Sequence, residues 1–192
     1  MALAKTQSIA AAADPDSFLF SSDEETDFVI CKDPDKLKQL LNRIMPGKQV
    51  HYVSDGSWSM HDLVMELLKK YRPASLYFTT YALREFAVRQ IILAQERGDI
   101  VSTNILLDAR ANVRTPDVYQ LVSMNVNKVY LTSIHAKVTV IISPVGSISI
   151  VGSSNWTTNP KIECGVVSMN EKLAEFHFDW MTKKMQDAEI FS

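Results

Sequence analysis

At 192 residues and 46% hydrophobic content, the chain is long enough to bury one core and short for two domains. Its two cysteines, Cys31 and Cys164, are far apart and in no metal-ligand spacing, which excludes a disulfide framework and suits small buried thiols in a reducing, cytoplasmic setting. The net charge of −2 hides an asymmetry, because residues 1–35 hold eight acids against Lys5 and Lys32, whereas the remainder holds 18 basic and 14 acidic side chains. No apolar run approaches a membrane span, and Met1–Ala13 lacks the sustained apolar stretch of an export signal. No stable membrane association is therefore expected, and the mildly basic body favours polyanions.

Residues 1–26, rich in Ala, Asp, Ser and Glu, read as a flexible acidic leader in which only Phe18, Leu19 and Phe20 can anchor. Residues 27–192 read as one domain. Phe28–Cys31 is a short strand, and Pro34 opens a helix to about Met45, stopped by Pro46-Gly47. Gln49–Val53 is a strand ending in the polar loop Ser54–Ser57. The stripe Leu63, Val64, Leu67, Leu68, Tyr71 marks the next helix. Ser75–Thr79 is a strand, Ala82–Arg97 a longer helix ending at Gly98, and Ile100–Leu107 an apolar strand expected to be buried on both faces. A loop over Asp108–Thr115 leads to a helix running to about Met124. Lys128–Thr132 is a strand. Ile134–Ile142 and Ser147–Val151 form a hairpin, Ile162–Met169 a last strand and Asn170–Asp187 an amphipathic helix. The alternation predicts an α/β fold, with a mixed, mostly parallel sheet flanked by helices on both faces.

The hairpin carries the chemistry. In the strand Ile134–Val140, His135 and Lys137 share one face by the period-two rule. An imidazole and an ammonium together on an apolar strand are costly unless an anion uses them. Lys137 can hold the negative charge, and His135 can attack or shuttle a proton. After the hairpin comes Gly152-Ser153-Ser154-Asn155. Gly152 permits close backbone approach to a ligand, while Ser153 and Asn155 can donate to phosphate oxygens. Glu163 opens the next apolar strand and is a natural partner for an imidazole.

His-x-Lys, a hairpin, Gly-Ser-x-Asn and a downstream Glu together resemble the active-site signature of the phospholipase D superfamily, over about residues 28–187. The sequence departs from that pattern at Ile142, where the family usually has an acid. Its hairpin is longer by about three residues, and the segment from Asn155 to Glu163 is shorter than in some bacterial nucleases of the family. The resemblance implies a phospholipase D-like fold and metal-independent phosphodiester hydrolysis without a cofactor. It also implies a phosphohistidine intermediate, with catalytic roles for His135, Lys137, Asn155 and Glu163 and phosphate binding by Ser153 and Gly152. Family members place two such motifs around one phosphodiester, so one motif per chain implies a homodimer.

Four further residues are candidates for substrate binding. Trp58 can line the mouth of the site, Tyr81 lies where a parallel sheet places ligand-facing loops, and Arg110, with Arg114, can contact phosphates. His51, His61 and His177 read as structural, and Trp156 as core. Short length and a mildly basic body favour a nuclease. A phospholipid head-group hydrolase or transferase and a non-catalytic module on the same fold are the alternatives.

Overall fold

The computed structural model describes residues 18–20, 26–30, 34–42, 44–54 and 56–190. Cys31 and most of the acidic leader lie outside the described residues. The elements in chain order are β1 (Phe18–Phe20), β2 (Thr26–Ile30), α1 (Pro34–Asn42), β3 (Gln49–Val53), α2 (Met60–Tyr71), β4 (Ala74–Thr80), α3 (Glu85–Glu96) and β5 (Ile100–Asp108). They continue with α4 (Ala111–Arg114), α5 (Pro116–Asn125), β6 (Lys128–Thr132), β7 (Val138–Ser143), β8 (Gly146–Gly152), β9 (Cys164–Ser168) and α6 (Glu171–Ile190). Phe18–Phe20, inside the expected leader, is a strand paired antiparallel to β2.

The strands form one sheet in the order β1-β2-β3-β9-β8-β7-β4-β5-β6. The architecture is mixed α/β. Pairs β2–β3, β4–β5 and β5–β6 are parallel, and the other five are antiparallel. Six strands still point one way, with β1, β7 and β9 opposed. The meander β7–β8–β9 sits in the middle of the sheet, between the two parallel halves, rather than at an edge.

Two apolar layers cover the sheet. The larger packs Leu63, Val64 and Leu67 of α2, Val88 and Ile91 of α3 and Val122 of α5 against Val50, Leu76, Phe78 and Ile105. The smaller packs Ala174 and Met181 of α6 against Val138 and Val140. Ile142 joins the second layer with Phe178, so this position packs against the apolar side of α6. Ser59 starts α2 with a capping box, its backbone N–H donating to Asp62 Oδ2 at 2.9 Å. The strand β5 is buried on both faces only from Ile105 onward, since Val101 is 61% exposed.

Candidate active site

The site residues gather at one end of the sheet, beyond the carboxyl ends of β3, β4 and β5. Both β4 and β8 run out there, and β7 and β9 begin there. That end is where parallel sheets place their ligands. Residues 134–137 precede β7 rather than belong to it. The reason is Thr79, whose hydroxyl donates to the Ala136 carbonyl at 2.9 Å and accepts the Val138 N–H at 3.1 Å. A side chain thus satisfies two backbone groups that a ladder partner would otherwise take.

His135 is exposed and Lys137 is buried, at 8% exposure. The ammonium of Lys137 donates to the His135 carbonyl at 2.7 Å and stands 3.0 Å from Nδ1 of the same residue. Burial holds the Lys137 pKa below the usual lysine range, partly opposed by the negative charge of Glu163. An anion arriving beside Lys137 would relieve that cost.

After Gly152 the chain leaves the strand and its two polar side chains part. Ser153 turns toward β9, where its hydroxyl donates to Glu163 Oε2 and accepts the Cys164 N–H at 3.1 Å. Asn159 Nδ2 donates to the other oxygen of Glu163 at 2.8 Å. Asn155 instead crosses to the end of β4. Its Oδ1 accepts from the Thr80 hydroxyl at 3.2 Å and from the N–H groups of Tyr81 and Ala82 at 3.2 and 3.3 Å. These three bonds to Oδ1 fix the Asn155 amide at the end of β4.

Tyr81 connects the imidazole to two arginines. Its ring lies 5.0 Å from the His135 ring, and the Arg114 guanidinium covers it at 4.0 Å. Arg110 donates to the Tyr81 hydroxyl at 3.1 Å, and Arg114 to the Tyr81 carbonyl at 2.8 Å. Asp108, at the end of β5, accepts from Arg110 Nε at 3.3 Å and from Arg114 at 2.9 Å.

No family model and no curated protein sequence matches the chain. Among solved structures, polyphosphate kinase from Porphyromonas gingivalis superposes with a TM-score of 0.57 at 13% identity, over 77% of this chain and 27% of the kinase. The fold is phospholipase D-like. TrmBL2, an archaeal chromatin protein, superposes with a TM-score of 0.47 at 12% identity, over 80% of this chain and 59% of its own. The chain thus spans about a quarter of the kinase and well over half of TrmBL2.

Within this phospholipase D-like fold, His135, Lys137, Gly152, Ser153, Asn155 and Glu163 come together at one end of the sheet, and Tyr81 and Arg110 adjoin them. Four expectations need correction. Glu163 gives its oxygens to Ser153 and Asn159 instead of the imidazole, which rests against Tyr81. Gly152 opens space inward rather than toward a ligand, since a Cβ there would lie 2.8 Å from the Cys164 carbonyl and 3.0 Å from the Tyr52 hydroxyl. Trp58 is not at the site mouth; it is buried at 6% exposure against Tyr52, with ring centroids 4.9 Å apart. Cys164 is an exposed free thiol instead of a buried one.

The sequence reading missed Thr79, Thr80, Asn159 and the salt-bridging role of Asp108. An Asp followed two and six residues later by Arg was a readable signal for Asp108. A threonine ending a strand gives no signal of what it will bind. Among the described residues, no group of three or more His, Cys, Asp or Glu is arranged to hold a metal ion. No helix among them is long and apolar enough to cross a membrane.

Proposed function

We propose that the chain is a metal-independent phosphodiesterase, specifically a cytoplasmic nuclease, whose nucleophile is His135. One observation carries the reading: the buried Lys137 ammonium stands 3.0 Å from the ring of an exposed imidazole. A charge held in a dry setting is suited to a developing negative charge. The likeness to polyphosphate kinase adds only the fold.

In the proposed reaction a His135 ring nitrogen attacks phosphorus and the P–O bond to the leaving alcohol breaks. The leaving oxygen takes a proton from a second imidazole. Water then attacks the phosphohistidine, gives its proton to that second imidazole, and releases a phosphate monoester. Lys137 and Asn155 stabilise the extra charge in both steps. The second imidazole must stand on the far side of phosphorus, in line with the leaving oxygen. His51 lies within β3, His61 is buried and His177 lies on α6; we assign a twofold-related His135 as the partner, which makes the active unit a homodimer.

The test is hydrolysis of bis(p-nitrophenyl) phosphate in excess chelator, with acid-labile label trapped on the protein. Activity that survives chelator and disappears in His135→Ala is the expected result. Activity abolished by chelator and restored by Mg²⁺ or Zn²⁺ would overturn the mechanism. Preference for a phospholipid diester over an oligonucleotide would overturn the nuclease reading while keeping the chemistry.

A further inference from the structure

We propose that Arg110 and Arg114, anchored on Tyr81, form a second phosphate subsite beside His135, and that the substrate is a nucleic acid strand contacted through at least two of its phosphates. The inference rests on the phosphodiesterase reading of His135 and names the substrate class for it.

The charge balance is the starting point. Two guanidiniums share one carboxylate, Asp108, through Arg110 Nε at 3.3 Å and Arg114 Nη2 at 2.9 Å. The Lys137 ammonium lies 6.0 Å from the Tyr81 ring on which both arginines rest. Three cations therefore lie within 6.0 Å of one ring centroid, and the carboxylate that holds two of them is buried. The Asp108 side chain is 6% exposed, whereas that of Arg110 is 69% exposed. A buried counter-charge with an exposed guanidinium is an arrangement that fixes an arginine while presenting it to solvent. Of its five N–H donors, Arg110 spends one on Asp108 and one on Tyr81. The remainder can take a phosphate in the forked manner for which guanidinium is suited.

Position selects among phosphate compounds. The Tyr81 ring centroid lies 5.0 Å from the imidazole and 5.5 Å from the Arg110 guanidinium, so a ligand that reaches both groups passes along the ring. Phosphates of a pyrophosphate linkage share an oxygen and cannot straddle a ring. Phosphates of a nucleic acid strand are separated by a sugar and can. A lipid head-group diester has one phosphate in its linkage and would leave the second cluster unused. The ring itself is already covered by Arg114, so recognition runs through phosphates, with no sequence information.

Two arms test this. The first uses trinucleotide substrates in which the phosphate flanking the scissile one is either native or a neutral methylphosphonate. In the parent protein, neutralising that phosphate lowers kcat/KM by about tenfold. In Arg110→Ala the two substrates react within about twofold of each other. Equal sensitivity in both proteins overturns the subsite. The second arm needs no turnover. Binding of a single-stranded oligonucleotide by His135→Ala protein is compared with that of the His135→Ala/Arg110→Ala double variant across a salt series. Loss of one phosphate contact weakens affinity by several-fold and flattens the log–log salt slope by about 0.7. Unchanged affinity and slope overturn the inference even where no hydrolysis is seen. Lack of hydrolysis with the binding difference intact overturns the function reading alone. Tripolyphosphate competing better per phosphate than the oligonucleotide would overturn the spacing argument.

Discussion

Lys137 donates to the carbonyl oxygen of His135 at 2.7 Å, so the candidate cation is bonded to the backbone of the candidate nucleophile. A buried ammonium with neutral partners is a cost to the fold. Replacing it with Met should leave thermal stability equal or higher while lowering turnover of an aryl diester by about 10² or more. A fall in Tm of several degrees would make Lys137 structural instead.

The same residue gives a pH signature. Burial lowers its folded pKa below the ordinary 10.5, so the unfolded chain binds this proton more tightly. The penalty is present at neutral pH and is lost as pH rises from the folded pKa toward 10.5. The stability gain of Lys137→Met over the parent should therefore shrink across that alkaline window. Urea titrations at neutral and alkaline pH measure it, and a gain that is constant with pH would contradict it.

His61 is buried at 2% exposure, and desolvation depresses its pKa below 6.5, partly opposed by Asp62. Its ring lies 2.8 Å from the Ser59 hydroxyl and against Phe86. Below the unfolded value of 6.5 the unfolded chain takes up a proton that the folded chain resists, so stability falls as pH drops. His61→Gln should flatten the dependence of Tm on pH between about 6.5 and 5. An unchanged slope would assign the acid sensitivity elsewhere, with His177, similarly depressed by burial, the next candidate.

Tyr52 lies across Gly152, which ends β8, and Gly165, the second residue of β9. Its hydroxyl is buried without a hydrogen-bond partner, and burial raises its pKa far above the ordinary tyrosine value. Tyr52→Phe should be neutral or stabilising by up to about 1 kcal/mol. Gly165→Ala should cost about 1–3 kcal/mol, because its Cβ would lie 2.5 Å from that hydroxyl and 2.7 Å from the Val151 carbonyl. Chemical denaturation of both variants decides; a neutral Gly165→Ala would show that the two strands separate easily.

A shared site predicts a dilution effect. Parent chains mixed with excess His135→Ala chains should lose activity beyond their own dilution, because mixed dimers lack one of the two imidazoles. Activity strictly proportional to parent chains, with exchange confirmed by a tagged variant, would show that one chain holds a whole site.

The motif was legible from the chain alone because its chemistry is local. His135 and Lys137 meet as their spacing suggested, although residues 134–137 precede β7, and the hairpin turn at Ser143–Gly146 sets which residues follow at the same end of the sheet. The spans of β3 and β6 were also readable from alternation and flanking turn residues. Tertiary structure decided what the motif residues touch. Alternation assigns a face to a side chain but says nothing about the neighbouring strand, and here a long-range choice puts β9, β8 and β7 between β3 and β4. That choice brings Asn155 to the end of β4 and Tyr81 to His135, while Glu163 is left to Ser153 and Asn159. It also buries Trp58 against Tyr52, which was not legible because an aromatic in a polar loop carries no local signal of the neighbour it will meet.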